Sequence, residues 1–214
     1  LRPLMSSAAA PIDVACFGGA HIDLIAKAGQ PIVMASSNPG VVAVELGGVA
    51  LNVARALNNL NLNVALVGSL GDDGDGHMIS STLSAEGVDV SRLHQSGDFA
   101  TGRYVAIENS DGELAVAVSD TQALDNFDEG HLEAALTAYA GAGVWFADAN
   151  LGRSLLRRLA GHADRPRLAV DAVSVAKSPR LREFLADFDI LFCNVAEAQA
   201  LLGASFGSAL EAAS

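Results

Sequence analysis

The sequence is poor in cysteine, in aromatic residues and in positive charge. Cys16 and Cys193 are its two cysteines, too few for a cysteine zinc cage. Each falls in an apolar, strand-like run, so both read as reduced packing residues of a reducing compartment. Lys and Arg number 13 against 25 Asp and Glu, a formal net charge of −12. Such an acidic chain argues against a nucleic-acid polymer or an anionic membrane surface as partner and favours a small solute. No apolar run approaches the ~20 residues that cross a bilayer, because Gly, Asp or Asn interrupts each one. The opening "LRPLMSSAAAP" lacks the apolar core and cleavage pattern of a secretory signal. The expectation is a soluble, cytoplasmic protein in which residues 1–10 form a flexible tail and Leu1 to Leu4 precede a natural start at Met5.

What is present is ample material for one core: half of the 214 residues are hydrophobic, enough for one large domain. "DVACFGGAHIDLIA" opens as a buried strand, and "NVALVGSLG", "GVWFADAN", "RLAVDAV" and "DILFCN" are later runs of the same kind. Helical patterns lie between them at 48–60, 78–86, 129–140, 154–159 and 180–186. This order predicts an α/β fold, a mainly parallel sheet with helices on both faces. Asp128 is placed to cap the third helix, Ser178 and Pro179 to start the fifth, and Gly203 to close "AEAQALL". Two segments break the alternation, at about 24–46 and 99–119. The second reads as a hairpin, Tyr104 to Ile107 and Leu114 to Val118, around Ser110-Asp111-Gly112. They form either a small separate sheet over one edge of the domain or antiparallel edge strands of the main sheet.

Three motif matches fail on context. "GASFG" fits G-x-S-x-G, but a helix precedes Ser205 and no histidine follows it. "HLE", His131 to Glu133, lacks the C-x-x-C of a zinc deaminase. "GDDGDG" has neither the spacing of a dinucleotide loop nor the right charge, since its aspartates repel a pyrophosphate. No Walker motif is present.

The stretch "VELGGVALNVARALNNL" is different. Its later residues recur with a helical period, yet Gly47 and Gly48 stand at its head, where glycine lowers helix propensity. A plain turn explains the pair; so does close approach of a ligand. Asp23, just past the first strand, adds a carboxylate, and Asn52 a carboxamide. Together they can exchange hydrogen bonds with vicinal hydroxyls, at the strand ends where open parallel sheets bind ligands. That combination suits a polyol.

At these residues the sequence resembles a family. "GGAHID", "NPGVVAVELGGVALNVARAL", "VGSLGDDGDG", "TGRYVAI", "VDAVSVAK" and "CNVAEAQALLG" occur in the order found in the PfkB, or ribokinase-like, carbohydrate and nucleoside kinases. They cover nearly the whole chain after Pro11. The N-P-G before the glycine pair, the "DAN" at Asp148 to Asn150 and the "VDAVSVAK" ending in Lys177 look most like the pseudouridine kinase branch.

The resemblance implies a ribokinase-like domain over 11–214 with a small β lid, and ATP-dependent phosphorylation of a nucleoside 5′-hydroxyl, pseudouridine first. The alternatives are another PfkB-type sugar kinase, acting on ribose or a ketohexose, and a non-catalytic sugar- or nucleoside-binding protein. It implies ATP and Mg2+ as cofactors and leaves a monovalent-cation requirement open. Asp23 would hold ribose hydroxyls with Gly47, Gly48 and Asn52. Thr101 and Tyr104, on the hairpin, would belong to the lid, and Asn150 would reach the base or sugar. Lys177 would neutralise phosphate, and Asn194 and Glu197 would match the family's P-N-x-x-E element, the Glu orienting water on magnesium. The exposed hairpin, marginal as an isolated two-stranded piece, points separately to a homodimer through the β lid. Cys193 replaces the proline of that element, and the family's later G-A-G-D element, with its catalytic aspartate and anion hole, is absent from this chain. The 214 residues alone are therefore expected to be inactive, as the ordered or retained part of a longer kinase.

Overall fold

The structure is a computed structural model and describes residues 11–205. The expected tail at 1–10, and Phe206 and Gly207 of the "GASFG" segment, lie outside the described residues. Among the described residues no helix is long and apolar enough to cross a membrane.

The chain begins with β1 (Val14–Phe17), β2 (His21–Ala28) and β3 (Gly40–Gly47). It continues through α1 (Val49–Asn59), β4 (Val64–Gly71), α2 (Gly74–Glu86), β5 (Leu93–Ser96), β6 (Arg103–Glu108) and β7 (Leu114–Asp120). The second half runs α3 (Gln122–Asp125), α4 (Glu129–Ala138), β8 (Val144–Asp148), α5 (Arg153–Ala160), β9 (Arg167–Asp171), a 3-10 segment (Ser178–Asp187), β10 (Ile190–Phe192) and α6 (Val195–Leu202). Six strands form one sheet in the order β10-β9-β8-β1-β4-β5, paired in parallel throughout.

Both faces of that sheet are buried, and the two-residue period of a strand divides the core between them. Ala15 and Phe17 of β1 point with Trp145 and Leu168 into a cluster with Leu132 and Leu136 of α4 and Leu156 of α5. Val14 and Cys16 point the other way, to Leu51 and Ala54 of α1 and Ile79 and Leu83 of α2. On the first face Phe17 meets Trp145 edge-on at 5.4 Å, and the indole Nε1 donates to the Tyr139 carbonyl at 2.9 Å, so the ring is buried without an unpaired donor.

Four strands form a second, separate sheet in the order β3-β2-β6-β7, which removes the alternative of edge strands added to the main sheet. β2 and β6 pair in parallel and the outer pairs are antiparallel. The apolar run Asp13 to Ala26 is therefore not one strand. Gly18 and Gly19 end β1, and the chain crosses into the second sheet, so Asp23 is the third residue of β2 rather than a loop residue past the first strand.

The expected caps divide likewise. Oδ1 of Asp128 accepts from the N–H groups of Gly130 and His131 at 2.8 and 3.1 Å, and Gly203 ends α6 in the left-handed region at φ 67°. Ser178 caps nothing: it opens the 3-10 segment, and its hydroxyl donates back to the Val175 carbonyl. Cys16 is fully buried, but Cys193 is exposed, just past β10, because among the described residues that strand has a sheet neighbour on one side alone.

Candidate functional site

Outward from β1 the chain builds β4 and β5 on one side and β8, β9 and β10 on the other. The order reverses between β1 and β8. The crevice beyond the carboxyl ends of those two strands is where an open parallel sheet offers backbone groups to a ligand. Gly18 and Gly19 lie at the end of β1, Asp148 and Asn150 at the end of β8, and the start of α1 stands over both.

Contacts chain the sugar-side residues together. A Cβ on Gly19 would lie 3.0 Å from Nδ2 of Asn150, one on Gly48 would lie 2.2 Å from the Gly19 carbonyl, and one on Gly47 would lie 2.3 Å from Oδ2 of Asp23. Gly48 also adopts φ 109°, which L side chains rarely take. The glycine pair is thus required by the close packing of the β1 tip and the Asp23 carboxylate against the head of α1.

Asp23 is opposite Glu45 in β3 and Tyr104 in β6. Nε2 of His21 lies 3.0 Å from its Oδ1, and apart from that contact this buried oxygen has no partner among the described residues. Burial holds the His21 imidazole below its ordinary value against the pull of Asp23. An unused carboxylate acceptor beside a neutral imidazole is a place for a hydroxyl donor. Asp23 and Asn52 line one open cavity of about 630 Å3, with Glu45, Arg55, Met78 and Thr82 among its other walls.

Asn150 is buried and accepts from Nζ of Lys177. Burial, then the nearby Arg180, lowers the Lys177 ammonium from its ordinary value. Arg180 in turn donates to the carbonyls of Ala149, Asn150 and Leu151 at 3.1, 3.0 and 3.4 Å, fixing the turn that carries the asparagine.

Thr101 is not on the hairpin; it stands two residues before β6 and is 1% exposed. Its hydroxyl donates to Oδ1 of Asp73 at 2.7 Å and accepts from Gly71 N at 2.9 Å, so it joins β4, α2 and β6 rather than facing the crevice. Tyr104 is half-buried in β6. Asn194 and Glu197 form a reciprocal capping box at the start of α6, each side chain bonded to the other's N–H at 2.9 Å. Glu197 is nearly buried and spends Oε2 there. Burial, then the Glu197 charge, raises the Asp171 carboxyl above its usual range; Asp171 ends β9 directly opposite Asp148 of β8, and on its other side opposite Phe192 of β10, the strand that leads into α6 and Glu197. Sequence reasoning gave no role to His21, Asp73, Asp148 or Arg180. For Asp148 the signal was an acid closing the apolar run "VWFA" with Asn150 two residues on, the pattern of an aspartate bonding its own turn.

A parallel α/β layer whose strand-order reversal is overhung by a separate four-stranded sheet defines the ribokinase-like class. Residues 11–214 match the pfkB family of carbohydrate kinases, and the chain belongs to that family. A carbohydrate kinase from Agrobacterium tumefaciens superposes with a TM-score of 0.81 at 33% identity, covering 90% of this chain and 64% of that one. A ribokinase from Arabidopsis thaliana, solved with ribose and ATP, gives a TM-score of 0.78 at 18% identity over 95% of this chain and 67% of its own, and so shows the shared fold. In sequence, the uncharacterized sugar kinase YeiI of Escherichia coli K12 is 31% identical over 194 residues, 89% of this chain and 53% of its own length. The pseudouridine kinase of the same organism is 27% identical over 190 residues, 89% and 61% respectively. The chain thus spans a little over half the length of these curated relatives.

Proposed function

We propose that the intact protein transfers the terminal phosphoryl group of ATP to the 5′-hydroxyl of a nucleoside, with pseudouridine the favoured substrate. The observation that carries the reading is the unsatisfied Oδ1 of Asp23, in contact with His21 and set against Gly47 beside a cavity that Asn52 also lines. An acceptor, a carboxamide and a glycine-opened helix start suit vicinal sugar hydroxyls, and Asn150 supplies a further amide nearby. Tyr104, opposite Asp23, would close over the sugar from β6. Two pseudouridine kinases, from Escherichia coli and Arabidopsis thaliana, are among the relatives, which supports the choice of nucleoside over free ribose or a ketohexose.

The groups present fit a hydrated magnesium ion: Glu197 keeps Oε1 outside its capping bond, and Asp171 ends the strand beside β10, which leads into the helix of Glu197. These are two oxygen donors of the kind that hold Mg2+ through few carboxylates and several waters. When bound with ATP, the ion would neutralise phosphate charge. Lys177 would add a positive charge between that end and Asn150, while Asn194 would keep Glu197 in place. In this reading the proton acceptor and the anion hole belong to sequence outside the 214 residues, and these residues alone bind sugar without turning it over.

Homodimerisation through the lid is part of the same proposal. Residues opposite one another in register share a sheet face, and two such rows are aliphatic: Val44-Leu24-Val105-Val118 and Val42-Ala26-Ile107-Val116. Val42, Val44, Val116 and Val118 are each more than half exposed. A second copy laying the same rows against these would bury them with the self-complementarity of a two-fold interface.

The test is ADP formation by the full-length protein with pseudouridine, uridine, ribose and fructose. Turnover of pseudouridine at the highest kcat/KM supports the proposal, and its absence rejects that substrate. Ligand-induced stabilisation with no product from any of the four would instead establish a binding protein.

A further inference from the structure

We propose that Asp148 is the positioning residue of the sugar crevice, a buried carboxylate that holds three separate backbone segments in register. The inference rests on the sugar-binding reading above. Asp148 closes β8 and is fully buried. Oδ2 accepts from Gly19 N at 3.0 Å and from Ala50 N at 2.9 Å, and Oδ1 accepts from Asn150 N at 2.9 Å. One side chain thereby joins the tip of β1, the first turn of α1 and the turn after β8. Each segment carries or abuts a proposed sugar contact: Gly48 packs on Gly19, Asn52 follows Ala50 by two residues in the same first turn of α1, and Asn150 is itself the third partner.

The sequence keeps room for this group. A Cβ on Gly18 would lie 2.4 Å from the Asp148 carboxyl carbon, so a side chain there would displace the carboxylate. All three hydrogen-bond partners are N–H donors, a set that suits the ionised form and leaves a protonated carboxyl without an acceptor. Among the described residues no Lys, Arg or His nitrogen forms an ion pair with it within 4.0 Å. Burial raises this carboxyl, and the peptide N–H groups, one of them at the positive end of α1, oppose that by favouring the ionised form. Burying a carboxylate is costly, and a well-packed apolar side chain is often more stabilising at such a position. What an apolar residue cannot do is hold three donors from distant parts of the chain at fixed spacing.

The experiment compares full-length wild type with Asp148→Asn and, as a destabilised control, Leu159→Ala, whose side chain is buried on the opposite face of the sheet. Asparagine has one acceptor oxygen for three donors. Asp148→Asn is expected to raise the KM for the sugar substrate tenfold or more while the KM for ATP stays within twofold; Leu159→Ala should lower the melting temperature and leave the sugar KM unchanged. An unchanged sugar KM in folded Asp148→Asn, or parallel rises in both KM values, overturns the proposal. If Asp148→Asn does not fold, amide exchange on wild type decides: pseudouridine should slow exchange at Gly19, Ala50 and Asn150 together, and bound pseudouridine that leaves any of the three unchanged overturns it. If wild type binds neither pseudouridine nor ribose or fructose, the sugar reading fails separately. Ligand-free exchange then judges Asp148, with protection lost at all three amides in Asp148→Asn as the supporting result and protection kept at any one as the overturning result.

Discussion

The carboxylate of Asp23 rests on the bare Cα of Gly47, so closely that a methyl group there would sit 2.3 Å from Oδ2. The neighbouring glycine is constrained differently. A methyl on Gly48 would meet the Gly19 backbone carbonyl at 2.2 Å, and φ is 109°. Adjacent glycines therefore answer to different parts of the molecule, one to a short side chain and the other to backbone.

Alanine at the two positions should separate these roles. In Gly47→Ala the Asp23 carboxylate must turn aside, so sugar affinity should fall about tenfold, worth ~1.4 kcal/mol, with a small change in melting temperature. In Gly48→Ala neither the carbonyl nor the dihedral can yield cheaply, and stability should fall by about 1–3 kcal/mol from the dihedral alone. Calorimetric titration with nucleoside and thermal unfolding of both variants check this. Equal loss of stability in the two would contradict the division.

Thr101 should prove to be a structural residue. Its hydroxyl satisfies Asp73 and Gly71 inside the protein, and Asp73 also caps α2 by accepting from Gly76 N. Although burial opposes it, these N–H and hydroxyl donors hold the Asp73 carboxyl below the usual carboxylate range. Thr101→Val leaves the buried Gly71 N–H unpaired and takes one of two donors from Asp73 Oδ1, costing about 1–3 kcal/mol, whereas Thr101→Ser keeps the hydroxyl and should recover most of the loss. Nucleoside affinity, measured below both melting transitions, should match wild type in each variant.

The layered fold was legible because the five apolar runs alternate with helical periods, and that pattern admits few solutions. The break inside "DVACFGGAHIDLIA" was not, since both halves are apolar and the cause of the break lies far away: the carboxylate of Asp148 fills the space a Gly18 side chain would need. Asp23 was legible as an acid near the crevice but not as a strand residue of the second sheet. His21, Asp148 and Arg180 were silent because their significance is relational. Arg180 reads as a surface cation until three carbonyls converge on it. Thr101 was misplaced for the same reason, its partners lying 28 and 30 residues away in sequence.

The aliphatic face of the second sheet predicts a concentration-dependent assembly. Val105 and Val118 are opposite one another in adjacent strands, near the middle of the face. Val118→Glu places a charge among the rows and should convert the dimer to monomer with little change in melting temperature measured at low protein concentration. Sedimentation velocity over a hundredfold range of concentration reads the result. A wild type that stays monomeric across that range would refute the lid-to-lid arrangement.

Acidification should destabilise the protein through its histidines. Burial lowers His21 and His94 in the folded state, and His131, whose ring centroid lies 3.8 Å from that of His94, lowers His94 further while Asp128 opposes it. A folded-state value below the unfolded ~6.5 means that the unfolded chain binds more protons between the two values, so stability is fully present above pH 6.5 and is lost as pH falls through that window. Burial raises Asp171 and Asp148, which act in the opposite sense. Chemical denaturation from pH 7.5 to 5.5 should show falling stability, and His94→Gln should flatten the curve. A curve of unchanged slope in that variant would assign the loss elsewhere.

Glu197 carries two tasks that substitution can part. Its Oε2 accepts from Asn194 N while Asn194 Oδ1 accepts from Glu197 N, and its charge lies near Asp171. Glutamine keeps a side-chain oxygen for the capping box and removes the charge; Asn194→Ala removes the cap and keeps the charge. Asn194→Ala should therefore cost about 1 kcal/mol of stability, the usual worth of a helix cap, with Mg2+ dependence little altered. Glu197→Gln should hold stability near wild type, raise the Mg2+ concentration needed for half-maximal turnover tenfold or more, and let the Asp171 carboxyl fall toward its ordinary value as the like charge disappears. Carboxyl chemical shifts followed through a pH titration read the last effect without any turnover. An Asp171 that titrates unchanged in Glu197→Gln would mean the two carboxylates are not neighbours in solution, and the magnesium assignment would lose its geometric basis.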